Sequence, residues 1–149
     1  MTDMTSWTTG GILTAALLLA ACAHTSEDAG AESASVGMQG GAIVLQAAAL
    51  TDGPGSVLGT MAGKIPNLRV RLNPDDCPEI TLRNHSSFSQ VANPHVYVDG
   101  TRATNTCILD TLRSRDVERV EVYPLGYTTR PGYGTHGPGL ILVFMRSND

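Results

Sequence analysis

The six residues Leu140 to Met145 (LILVFM) are apolar without a break, and they constrain the fold more than any other stretch. A run of that length and composition reads as a strand. It has no side suited to water, so it is covered on both faces and belongs in the middle of a sheet. The rest of the chain therefore has to supply strands on either side of it.

Those strands are legible. Leu68 to Leu72 and Glu79 to Arg83 alternate with period two, the pattern of half-buried strands, with Ile80 and Leu82 facing inward in the second. Asn73-Pro74-Asp75-Asp76 is the turn between them. Val96 and Val98 face inward on a third strand that ends at the tight turn Asp99-Gly100. Asp116 to Val122 (DVERVEV) is a fourth, showing Val120 and Val122 to the core. Two short helices complete the set. Ser56 caps the first, with Val57, Leu58 and Met61 on one face and Gly63 as its stop. Thr104, Asn105 or Thr106 caps the second, over Ile108, Leu109 and Leu112. The predicted order is α-β-β-β-α-β-β: a small mixed sheet with two helices packed on it, class α+β.

The chain has 149 residues, room for one domain plus extensions. Its formal charge of −4 is unevenly spread: all ten Lys and Arg residues lie from Lys64 onward, with nine of the fourteen acids. Between Cys22 and Gly63 stand Glu27, Asp28, Glu32 and Asp52 and no base. The basic residues are dispersed and the domain is near neutral, so there is no electrostatic footprint for nucleic acid.

Ile12 to Ala21 (ILTAALLLAA) is apolar but too short for a membrane span, which takes about 20 residues. It suits the h-region of a secretory signal, although the segment before it carries Asp3 and no base. The junction Leu19-Ala20-Ala21-Cys22 resembles a bacterial lipobox. That resemblance implies a signal peptide over residues 1–21, acylation of Cys22, with palmitate among its lipids, and a membrane anchor. Ala23 after the Cys implies the outer membrane. The alternative is an apolar N-terminal helix with a buried Cys. Residues 22–55 are read as a flexible acidic linker, poor in large apolar side chains over His24 to Gly41. Within it, Ala42 to Leu50 is apolar enough to dock as a strand or a helix.

Few residues suggest chemistry. Two thiols remain after Cys22, and in an exported domain Cys77 and Cys107 most often pair. Closing a loop of about 30 residues stabilises by roughly 3–4 kcal/mol in the chain-entropy model, the staple a small domain needs. Buried free thiols are the next reading. A metal site drawn from both Cys and one of His85 or His95 is the third, but no zinc spacing is present. No Cys-x-x-Cys or Gly-x-Ser-x-Gly occurs, and Asp75, Asp76 and Glu79 read as a solvated turn. The expectation is no enzyme, no cofactor and no metal. The loop Gly126 to Gly139 (GYTTRPGYGTHGPG) carries Tyr127, Arg130, Tyr133 and His136 on a backbone of Gly and Pro. Aromatics and Arg are typical of contact surfaces, so these four are the candidate partner-binding residues. Simple turn closure and an anion site are the other readings.

The stretch from Asn93 to Arg146, running strand, Asp-Gly, helix, DVERVEV, Tyr-Gly loop and apolar strand, resembles the C-terminal half of the plug domain of TonB-dependent outer-membrane receptors. The likeness extends back to Val57, with Ile65-Pro66-Asn67-Leu68 in place of the usual Pro-Gly-Val and Asn84 in place of a Gly. In receptors of that kind the plug sits in a barrel and gates uptake. This sequence has no train of alternating segments for a barrel. The resemblance implies a plug-like domain over 56–149 that acts without its own barrel. It would serve as a binding or accessory module, partnered by the membrane through its lipid and by an outer-membrane barrel or another envelope protein. The alternatives are a structural envelope lipoprotein without a specific ligand, and a small metal-binding or enzymatic envelope protein.

Overall fold

The computed structural model describes residues 36–53, 55–82 and 92–147. Val36–Gln39 (β1) and Ala42–Gln46 (β2) form a hairpin closed by Gly40 and Gly41, at φ 57° and 82°, the left-handed pair that a two-residue turn requires. Ala47–Thr51 (α1) and Val57–Lys64 (α2) follow, then Arg69–Arg71 (β3), Glu79–Thr81 (β4), His95–Val98 (β5) and Thr101–Arg102 (β6). Ile108–Thr111 (α3) leads through a 3-10 turn at Ser114–Asp116 into Val117–Tyr123 (β7), and Leu140–Met145 (β8) comes last.

The described residues make an α+β fold: a six-stranded sheet in the order β1-β2-β7-β8-β5-β6 and a two-stranded sheet, β3-β4. β8 runs antiparallel to β7 and parallel to β5, so the sheet is mixed and the LILVFM segment is interior. Its alternate side chains serve two cores. Ile141 and Val143 join Leu45, Val96, Val120 and Val122 beneath Leu50, Met61 and Leu109 of the three helices. Leu140 and Leu142 join Ala42, Val44, Tyr97 and Tyr123 on the other face, where Tyr133 and Phe144 pack over them. The unbroken apolar run is thus explained by a helical cover on one face and a loop cover on the other.

Several local expectations are corrected. The described part of the 22–55 stretch is not a tether: Ala42 to Leu50 docks, as its apolar run suggested, and its strand β2 inserts Leu45, fully buried, opposite Val120 of β7. Its apolar content exceeds that of the polar run before it, and the Gly40-Gly41 turn lets β1 fold back on it. Nor do β3 and β4 join the main sheet. The Ile80 N–H donates to the side-chain oxygen of Asn93 at 2.7 Å, which takes the place of a ladder partner. Leu72 falls outside β3 and is 72% exposed. Ser56 caps α2 as expected, accepting from Gly59 N–H at 3.2 Å. The helix passes through Gly63, however, and stops because Pro66 forces Ile65 out of helical geometry, to φ −96° and ψ 120°. At α3 Asn105, one of the three expected caps, accepts from the Cys107 N–H through its side-chain oxygen at 3.2 Å, while Cys107 itself makes no side-chain cap. Thr106 donates its hydroxyl to Pro78 O at 2.6 Å, tying the helix start to the residue before β4, beside the Cys77–Cys107 disulfide.

Candidate functional site

The loop between β7 and β8 is a closed excursion over the second face of the sheet. At its neck His136 N–H donates to Gly126 O at 2.8 Å, and Gly126 N–H donates to Tyr123 O at 3.0 Å. Gly126 has φ 72°, and a side chain there would strike the His136 carbonyl, so only glycine fits the crossing. Loops whose ends meet in this way are held by their own side chains.

Three of the four candidate residues turn inward as those anchors. Arg130 forks onto Glu121 of β7, Nε to Oε2 and Nη2 to Oε1, both at 2.7 Å. Glu121 is 2% exposed, and it also accepts from the Tyr123 hydroxyl at 2.9 Å and faces Arg119 Nε at 3.1 Å. The two guanidiniums lie 4.7 and 5.3 Å from the centroid of the Phe144 ring, within cation–π range. Hydrogen bonding to Glu121 raises the Arg130 pKa above its already high ordinary value. Tyr133 meets Tyr97 edge to face at 5.0 Å, worth about 0.5–1.5 kcal/mol beyond the area buried.

His136 stacks on His95 of β5, centroids 3.4 Å apart and planes 6° from parallel, and donates from Nε2 to Asn93 O at 2.9 Å. Arg102 of β6 donates to His95 Nε2 at 2.6 Å. Burial, then the neighbouring His136 and Arg102, hold the His95 pKa below its ordinary value. Beside these rings opens a cavity of about 290 Å³. A second cavity of about 420 Å³ lies away from the loop, between the α1–α2 connection and the segment Asp110 to Arg115.

Only Tyr127 of the four stays outward, 57% exposed, next to Leu125 at 52%. Glu121, Arg119, His95 and Arg102 were not singled out as partners of the loop. Glu121 alternates with Val120 and Val122 and so reads as solvent-facing; Tyr123 and Leu142 on its own face were the signal that this side is covered too. Cys77 and Cys107 are joined, Cα atoms 4.8 Å apart, which removes both from the free-thiol and metal readings. Among the described residues no group of three His, Cys, Asp or Glu could hold a metal ion, and no helix is long and apolar enough to cross a membrane. Cys22 and His85 lie outside the described residues.

No protein-family model and no curated protein matches this sequence. Solved structures do match in fold. The chain is similar to part of a peptide importer. Against the RagAB peptide importer in its closed-closed state the TM-score is 0.55 at 16% identity, covering 74% of this chain and 13% of that one. The open-open state gives 0.55 at 15% identity, covering 76% and 12%. A further RagAB peptide transporter structure gives 0.54 at 16%. The likeness is one of fold, and this chain spans about an eighth of the length of the chains it matches.

Proposed function

We propose that this chain is a lipid-anchored, plug-like module of the bacterial outer membrane that acts as a binding or accessory partner of an uptake system. The observation that carries the reading is the alignment of 74% of the chain with a small part of an importer chain. The disulfide supports an exported setting, and the lipobox-like junction at Cys22 supports the anchor. A fold does not transfer activity, so the partner is argued from the surface. The exposed pair Leu125 and Tyr127 stands on a loop fixed at its neck and at three side chains. Rigid aromatic anchors of that kind suit a protein contact. A barrel or another envelope protein is the partner, and the membrane is reached through the lipid.

A second reading, a structural envelope lipoprotein, is favoured by the inward turn of Arg130, Tyr133 and His136, which gives the loop a packing role. Membrane fractionation with a palmitate-analogue label and co-purification separates the two. The wild type is expected in the outer-membrane fraction, labelled, and associated with an integral membrane protein. Cys22→Ser is expected to lose label and membrane association. Leu125→Ser with Tyr127→Ala is expected to keep the fold and lose the partner. An unlabelled protein would refute the anchor, and partner capture unchanged by the loop variant would favour the structural reading.

A further inference from the structure

On the flank of the loop opposite Glu121, His95, Arg102 and His136 border the cavity of about 290 Å³ together with Asn93, Pro94 and Thr106. That size is at the small end for ligand sites, roughly 300–1,000 Å³. No Asp or Glu lines it among the described residues. A guanidinium keeps its proton, so Arg102 is the donor and His95 Nε2 the acceptor of their 2.6 Å contact. His95 is therefore neutral, its proton on Nδ1. His136 gives its Nε2 proton to the Asn93 carbonyl, and its ring stacks on His95. Arg102 forms no ion pair with a carboxylate among the described residues. Its planar fork, shaped for the two oxygens of a carboxylate, is spent on a single ring nitrogen.

We propose that this cavity binds the carboxylate of a small organic acid or of a peptide end, with His95 taking up one proton from solvent as the anion enters. The carboxylate takes the place of the imidazole on Arg102. His95, freed at Nε2 and now beside an anion, is protonated there and becomes a second donor to it. The groups facing His95 are Arg102 from β6, His136 from the loop and, across the ladder on β8, the uncharged Leu140. Among the described residues no carboxylate lines the site. Burial, His136 and Arg102 oppose a charge on His95, so proton and anion enter together. Such binding needs neither lipid nor membrane partner, and its failure would leave the accessory reading standing.

The test is nitrogen-15 NMR of the histidines in the full chain, titrated near pH 6 and near pH 8 with N-acetyl-alanyl-alanine, its C-terminal amide and sodium acetate. Saturable shifts of His95 with the free acid are expected, and none with the amide. Affinity is expected to weaken as pH rises, approaching about tenfold per unit where one proton is taken up. Arg102→Gln, at an exposed position, should remove binding, and His95→Gln should remove its pH dependence. Acetate binding as tightly as the dipeptide assigns the site to small acids; a tighter dipeptide assigns it to peptide ends. Absent His95 shifts with both acids, or binding unaffected by pH and by Arg102→Gln, would overturn the proposal.

Discussion

Arg130 grips Glu121 with two hydrogen bonds of 2.7 Å, one of the three side-chain anchors that fasten the glycine-rich loop to the second face of the sheet. The carboxylate is buried, while the side chains of Arg130 and Arg119 are 40% and 31% exposed.

Removing the carboxylate should therefore cost more than removing either arginine. Glu121→Gln leaves both cations without a counter-charge, yet water can reach them, so the loss is expected at about 1–3 kcal/mol rather than the full cost of a buried pair. Arg130→Ala leaves Glu121 with Arg119 and Tyr123, and about 1 kcal/mol is expected after screening. Urea unfolding of both variants checks the order. An Arg130→Ala variant less stable than Glu121→Gln would reverse the assignment of Glu121 as the shared anchor.

The disulfide closes a separation of 30 residues and links the β3-β4 sheet to the start of α3. Cys77→Ser combined with Cys107→Ser, or reduction of the wild type, is expected to lower stability by roughly 3–4 kcal/mol. Calorimetry with and without reductant measures it. An unchanged unfolding temperature would mean that the bridge does not restrict the unfolded chain in the way described.

Acid should weaken the fold through His95. Its folded pKa lies below the ordinary 6.5 of the unfolded chain, so the unfolded state binds more protons as pH falls. The contribution is level above about 6.5 and is lost progressively as pH drops toward the folded value. His95→Gln should flatten that part of the profile. Denaturant midpoints between neutral pH and about pH 5 give the comparison, and equal slopes for the two proteins would rule His95 out.

The skeleton of this fold could be read from residues that tolerate only one environment. LILVFM announces a central strand because no polar side chain interrupts it, and Asp99-Gly100 announces a turn through its left-handed pair, φ 46° and 82°. Ser56 could be read as a cap because the group it serves is three residues away. What was hidden depended on distant partners. The role of Thr106 rests on Pro78, and that of Asn93 on Ile80 and His136. β1 looked like part of a tether because only Val36 and Met38 punctuate the small and polar residues of His24 to Gly41, whereas the apolar run of β2 could be read as a docking strand or helix. The loop presented four contact residues alike; alternation along β7 and β8 on the second face, Tyr123 with Leu140 and Leu142, held the clue that three of them would be drawn inward.

The measurement that bears most directly on the accessory reading is photo-crosslinking from position 127 in intact cells, with a crosslinking amino acid in place of Tyr127, followed by identification of the adducts. The expected result is one dominant adduct with an integral outer-membrane protein, lost when Cys22 is replaced by Ser. An adduct pattern without any outer-membrane protein, obtained from chain shown to be lipidated and folded, would contradict the account.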